Sequence, residues 1–229
     1  MMRYSPLMPL PIRGPRFKCV LKKELTLFQP SPVTGFVWEA VMYRTLKVVY
    51  PTRPTLWNPS SIQSGVDILH DGVGYSLKST KFATPNNKKT TLNSYRLNRC
   101  KSDKDAIAEI DRPHRHNYEW YSILARRVEE PADTPNVYSL YVFPSCLTLA
   151  SRFEWDYHEG KLMTNTRDGV SMEISGFTNR SNKKSVVKNK QLWIKIDFEH
   201  HEDLLQDQGQ DDGGSSQCPN LLKDNLRQS

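Results

Sequence analysis

In the stretch GVDILHDGVGYSLKSTKF, residues 65–82, an aspartate and a lysine stand eleven positions apart, Asp67 and Lys78. The runs VDILH and YSLKST around them are β-prone. The DGVG between them carries Asp-Gly, a strong short-range hairpin signal. Side chains alternate along a strand, so Val66, Ile68 and His70 oppose Asp67 and Leu69 on the first run. On the second, Ser76 and Lys78 share one face, and Tyr75 and Leu77 the other. A hairpin therefore brings Asp67 towards Ser76 and Lys78. Two chemistries are open to such a pair. The carboxylate can hold a divalent ion while the ammonium group stabilises charge on an attacked phosphate. Mg²⁺ suits the first use, because it keeps waters and takes only one or two carboxylates. Alternatively, the two form an exposed cross-strand ion pair, worth well under about 1 kcal/mol.

The elements that must position this hairpin are legible in part. Phe36, Val37, Ala40, Val41 and Leu46 form an apolar stripe that predicts a helix over 33–48, bracketed by Pro32 and Pro51. Residues 17–28 fit a strand or a short helix, and 51–62 read as a loop. NYEWYSILARRVEE, 117–130, reads as a helix. NVYSLYVFPS, 136–145, is a strand by its Val, Tyr, Leu and Phe content. FEWDYHEGKLMT, 153–164, is strand and turn. GVSMEISGF, 169–177, and LWIKIDF, 192–198, alternate as strands, and 181–191 is a basic loop between them. Residues 1–16 are proline-rich and irregular. The expected organisation is a single mixed α/β domain over 1–200. An acidic, Gln/Asp/Gly/Ser-rich disordered tail follows over 201–229.

Net charge is +7 over 229 residues. Residues 197–229 hold eight acids and two bases, whereas 1–196 hold 30 bases and 17 acids. The body is thus more basic than the whole, which favours a polyanionic partner. Twelve bases against five acids fall between Lys78 and Arg127. RSNKKSVVKNK, 180–190, adds five bases and no acid. Lys81, Lys88, Lys89, Arg96, Arg99, Arg180, Lys183, Lys184 and Lys188 are the candidates for holding a phosphate backbone. Asn179, Arg180, Asn182 and Gln191 are candidates for reading base edges.

Cys19, Cys100, Cys146 and Cys218 form no CxxC pair, which argues against a zinc knuckle, and they are read as reduced thiols of a cytoplasmic protein. No apolar run reaches the length of a membrane span, and prolines interrupt the N-terminal segment, which does not read as a signal peptide. His114 and His116 are read as surface histidines, and His200 and His201 with Asp203 as the start of the tail. Trp120, Trp155 and Trp193 are assigned to packing.

Asp67, then Ser76-Leu77-Lys78 on the next strand, behind a helix carrying Glu39, resemble the active-site hairpin of the PD-(D/E)xK nuclease superfamily. Many type II restriction endonucleases belong to it. The family places an Asp on one strand and acid-x-Lys on the next. Here Val66 stands in place of the Pro, and Ser76 in place of the acid. Some restriction enzymes of the superfamily carry Ser-x-Lys and recruit a carboxylate from elsewhere. Glu39 is the first candidate for that carboxylate, followed by Glu109 and Asp111. The resemblance implies a restriction-endonuclease-like core, a central mixed β-sheet flanked by helices. It further implies an Mg²⁺-dependent, sequence-specific endonuclease of double-stranded DNA that acts as a homodimer. Asp67 and Glu39 would hold the ion, and Lys78 would orient the attacking water or stabilise the phosphorane. Ser76 would hydrogen-bond a water of the ion. Two alternatives stand beside this: a non-catalytic nucleic-acid-binding protein, and a repair or recombination nuclease of the same superfamily that cuts by DNA structure.

Overall fold

A computed structural model describes residues 12, 14–29, 31–58, 66–82, 88–97, 100, 102–111, 120–127, 135–159, 161–178 and 188–205; for 94–96, 176–178 and 188–189 it describes the backbone alone. Helix α1 is Pro15–Thr26, with Pro at the start of the helix, where its missing N–H is no loss. Phe17, Val20, Leu21, Glu24 and Leu25 lie on its buried face at helical spacing. Helix α2 is Gly35–Val49 and buries Trp38, Val41, Met42, Thr45, Leu46 and Val49. The Glu24 carboxylate, 3.2 Å from the Arg44 guanidinium, ties the two helices.

Strands β1 (Thr55–Trp57), β2 (Ile68–His70) and β3 (Val73–Lys81) follow. Next come β4 (Lys89–Arg96), helix α3 (Asp103–Ile110), β5 (Trp120–Arg127) and β6 (Val137–Pro144). The chain continues through β7 (Trp155–His158), β8 (Lys161–Thr164), β9 (Val170–Thr178) and β10 (Lys188–Asp197). Ser102 starts α3 with a reciprocal cap, its hydroxyl accepting from the Asp105 N–H while the Asp105 carboxylate accepts from Ser102 N–H.

The strands form two sheets. The first has the order β1-β2-β3-β5-β6, with β3 and β5 parallel and the other pairs antiparallel. The second has the order β4-β10-β9-β8-β7 and is antiparallel throughout. One face of the first sheet packs under α1 and α2 through Ile68, Tyr75, Leu77, Leu124 and Leu140. Its other face packs on the second sheet and α3 through Tyr121, Ile123, Ala125, Tyr141 and Phe143. The fold is mixed α and β, as the order of helical and alternating segments predicts.

Several local expectations are corrected. The helix predicted over 117–130 is strand β5 where described. Its residues point alternately into two cores, Tyr121, Ile123 and Ala125 one way and Trp120 and Leu124 the other. A strand apolar on both faces loses the period of two that would reveal it. The loop expected over 51–62 contains β1. The segment 17–28 resolves as helix. The basic loop of 181–191 ends in β10 from Lys188 onward. Residues 201–205, expected as the start of the tail, belong to the fold, with Leu204 and Leu205 buried in the core under the helices; residues 206–229 lie outside the described residues. The Asp203 carboxylate accepts from the N–H groups of Leu140 and Leu205 and pairs with Arg127 at 3.1 Å. The four cysteines are not all thiols. Cys19 is disulfide-bonded, and Cys100 and Cys146 are free. No helix among the described residues is long and apolar enough to cross a membrane.

Candidate active site

The β2–β3 hairpin turns through Asp71 and Gly72, both with positive φ (52° and 82°), as a two-residue type I′ connection requires. The register pairs His70 with Val73, Leu69 with Gly74 and Ile68 with Tyr75. At Asp67 it breaks. The Asp67 N–H donates to Tyr75 O at 2.9 Å, so Asp67 and Ile68 together oppose one residue, the arrangement of a β-bulge. On the other side, the Asp67 carbonyl accepts from Asn58 N–H at 3.0 Å. The main chain of Asp67 is thereby held from both neighbouring strands.

The bulge re-aims the carboxylate along the open edge of β3. Asp67 Oδ2 accepts from the buried Leu77 N–H at 2.6 Å and from Ser76 Oγ at 3.3 Å. Lys78 Nζ lies 3.9 Å from the same oxygen, with both side chains partly exposed (30% and 24%). Asp67 Oδ1 makes no hydrogen bond among the described residues. One carboxylate oxygen is thus fixed by the strand and the other faces outward.

Glu39 enters from α2. Its Oε2 accepts from Trp57 Nε1 at 3.3 Å, and Trp57 in turn packs on Phe36 and Tyr43. Its pKa is raised above that of an ordinary glutamate, first by burial and then by the negative charge of Asp67; the Trp57 hydrogen bond and the Lys78 ammonium pull it down. Glu39, Asp67 and Lys78 therefore share one electrostatic neighbourhood. A carboxylate whose proton affinity is raised by burial and by a neighbouring carboxylate favours a cation beside it.

Ser76 is buried, and its hydroxyl is directed at Asp67. Of the other acids considered, Asp111 caps the 3-10 turn at Ala150–Arg152, accepting from the N–H groups of Ala150 and Ser151. Glu109 is buried on α3, in the layer facing the second sheet. Neither joins Asp67 or Lys78 in a hydrogen bond or ion pair. No cluster of three or more metal-ligating side chains occurs among the described residues. The acids available beside Lys78 are the pair Glu39 and Asp67.

The basic candidates divide. Lys81, Lys88 and Lys89 are exposed, and Lys89 Nζ is 3.4 Å from Asp197. Arg96 and Lys188 occupy strand positions, with side chains outside the described residues, where Arg99, Asn179, Arg180, Asn182, Lys183, Lys184, His114 and His116 also lie. Gln191 is corrected: it is 2% exposed, and its amide donates to Asn93 and to Leu192 O, so it cannot read a base edge. His201 packs against Phe143 and Phe198 and is part of the fold rather than of a tail. Sequence reasoning missed the Trp57 donor to Glu39, because Trp57 lies in the segment read as a loop.

No family model matches this chain, and neither a curated protein nor a solved structure was found to match it.

Proposed function

We propose that the chain is an Mg²⁺-dependent endonuclease of double-stranded DNA, of the type II restriction kind. The observation that carries this reading is the Asp67–Lys78 pair at the edge of β3, with Glu39 within electrostatic reach of both. The donor set fits the ion: two carboxylates, one with a free oxygen and one with a raised proton affinity, match what Mg²⁺ takes from a protein. When bound there, the ion would supply a more acidic water and charge relief at the phosphate. The chain's own groups do the rest. Asp67 and Glu39 hold the ion, the Leu77 N–H and Ser76 Oγ fix Asp67, and the Lys78 ammonium stabilises negative charge on the attacked phosphate or orients the water. The resemblance of the Asp67 and Ser76-Leu77-Lys78 segments to the PD-(D/E)xK hairpin supports the same assignment. So does a mixed sheet between helices on one side and α3 on the other. Cutting both strands requires two such sites, so a C2 homodimer is part of the reading, with a palindromic target to match. The cytoplasm, where such an enzyme meets DNA, is part of it too.

Incubating plasmid DNA with the protein in Mg²⁺ and in EDTA tests the proposal. Discrete fragments in Mg²⁺ alone are expected, and Lys78→Ala should abolish them while sparing binding. Fragments of no fixed pattern would indicate a nuclease that cuts by DNA structure. That the described residues bring no third acid beside Lys78 favours the second reading, a nucleic-acid-binding protein without catalysis. It predicts a gel shift with intact plasmid.

A further inference from the structure

Beyond Lys78, β3 runs on to Lys81, which stands at the rim of a cleft of about 480 Å³ where the ends of the two sheets meet. Lys81, Lys89 and Lys195 line it, together with the hydroxyls of Thr91, Thr166 and Ser171, against one carboxylate, Asp197. Lys89 lies 3.4 Å from Asp197, and Lys195 lies 2.9 Å from Glu173, whose other oxygen is 3.2 Å from Lys161, so that one carboxylate faces two cations. Lys81 makes no ion pair, and the three hydroxyls make no hydrogen bond, among the described residues. What remains is an excess of positive charge beside hydroxyl groups. That suits an oxygen-rich anion such as a phosphodiester. The backbone comes close to the cleft at Gly169, where a Cβ would sit 2.8 Å from Asp197 O.

We propose that this cleft holds one phosphodiester of a polynucleotide backbone. Lys81 follows Lys78 by three residues on β3, so the two side chains leave the strand on opposite faces and the cleft is a contact separate from the one at Asp67 and Lys78. This inference rests on the nucleic-acid reading above and adds to it a second contact point on the same strand.

The test is duplex binding, measured by fluorescence anisotropy in EDTA between about 50 and 200 mM salt. The proteins are wild type, Lys81→Gln, Lys195→Gln and, as a control, Lys47→Gln on α2, each checked for folding by circular dichroism. Neutralising one phosphate contact removes about 0.9 from the slope of log affinity against log salt. Lys81→Gln should therefore lose about threefold less affinity across that salt range than wild type, with Lys195→Gln shifted in the same direction and Lys47→Gln unchanged. A duplex with its phosphates replaced by methylphosphonates should weaken wild type more than Lys81→Gln. Unchanged slopes in both cleft variants overturn the proposal. So does saturable binding of inorganic phosphate, at constant ionic strength, that Lys81→Gln abolishes while the duplex slope stays unaltered. Cleavage by wild type in Mg²⁺ is assayed in parallel. An altered slope without cleavage keeps the cleft and sinks the nuclease, and cleavage with unaltered slopes does the reverse.

Discussion

Asp67 has two jobs that substitution can separate. Its Oδ2 satisfies the Leu77 N–H, which is buried under α2, at 2.6 Å. Its charge serves the site. Asp67→Ala removes both. An unpaired buried N–H costs about 1–3 kcal/mol, at the upper end when a charged acceptor is lost. The Lys78 pair at 3.9 Å adds less than about 1 kcal/mol, since both side chains reach solvent. Asp67→Asn keeps an oxygen for Leu77 and loses only the charge. Relief of the repulsion with Glu39 offsets some of the cost in both variants. Asp67→Ala should therefore lie about 2 kcal/mol below Asp67→Asn, which itself stays within about 1 kcal/mol of wild type. For a chain of this length that gap corresponds to about 4–8 °C in Tm.

Urea denaturation at neutral pH reads this gap, and plasmid cleavage in Mg²⁺ reads the other half. Even groups that merely support a metal ligand cost about 10–100-fold when lost, so both variants should fall at least about 100-fold in rate. If Asp67→Asn cuts at the wild-type rate, the carboxylate is not an ion ligand. If the two variants unfold at the same urea concentration, the Leu77 anchor is wrong, whatever happens to cleavage.

Glu39→Gln should weaken Mg²⁺ binding and change its pH dependence. In wild type the raised pKa of Glu39 means that protons displace the ion at a higher pH than for an ordinary glutamate, so affinity falls as pH drops through that pKa. Calorimetric Mg²⁺ titrations taken from neutral pH downwards should show this loss of affinity in wild type and not in the variant. His70 is fully buried, its Nδ1 is 2.8 Å from Thr55 Oγ1, and burial holds its pKa below the ordinary 6.5. The folded state therefore binds fewer protons than the unfolded one, and stability present above pH 6.5 is lost as pH falls towards the folded pKa. His201 shifts in the same direction. Denaturation curves at pH 7.5 and 5 should show the loss, reduced in His70→Gln. Gly169→Ala should destabilise by more than about 1 kcal/mol, because φ is +72° and the new Cβ would meet Asp197 O at 2.8 Å and the His200 side chain at 2.9 Å. A Tm equal to wild type would refute that reading.

The turn of the hairpin was readable because Asp71-Gly72 has a fixed conformational meaning, and α2 because Val41 and Leu46 of its apolar stripe face one core, although Phe36 of that stripe is 58% exposed. Strand β5 was not. Its residues serve two cores at once, and nothing in WYSILARR records that α1 and α2 lie on one side and a second sheet on the other. Strand β1 was missed because three residues between prolines carry too little pattern; its identity comes from pairing with β2. The second sheet was legible strand by strand, through the alternation of 169–177 and 192–198. Its partner β4 was hidden in a run of Lys, Thr and Asn that reads as a polar loop.

The candidate site depends on a feature that alternation misplaces. Strict alternation puts Asp67 and Lys78 on one face of the sheet, and Ile68 and Leu77 on the other, under α2. Glu39 comes from α2, so an unbroken sheet would separate it from both. The separation fails because β2 is only three residues long. Among the described residues β3 has no strand beside it on that edge beyond Tyr75, and the bulge at Asp67 swings the carboxylate to the Leu77 N–H, which would otherwise seek a ladder partner. Glu39 then lies within electrostatic reach of both Asp67 and Lys78, although burial is the larger cause of its raised pKa. The short strand, the bulge and the Leu77 hydrogen bond thus form one device. Lengthening β2 past Asp67 would complete the ladder, free the carboxylate from Leu77 and return Glu39 and Lys78 to opposite sides of the sheet.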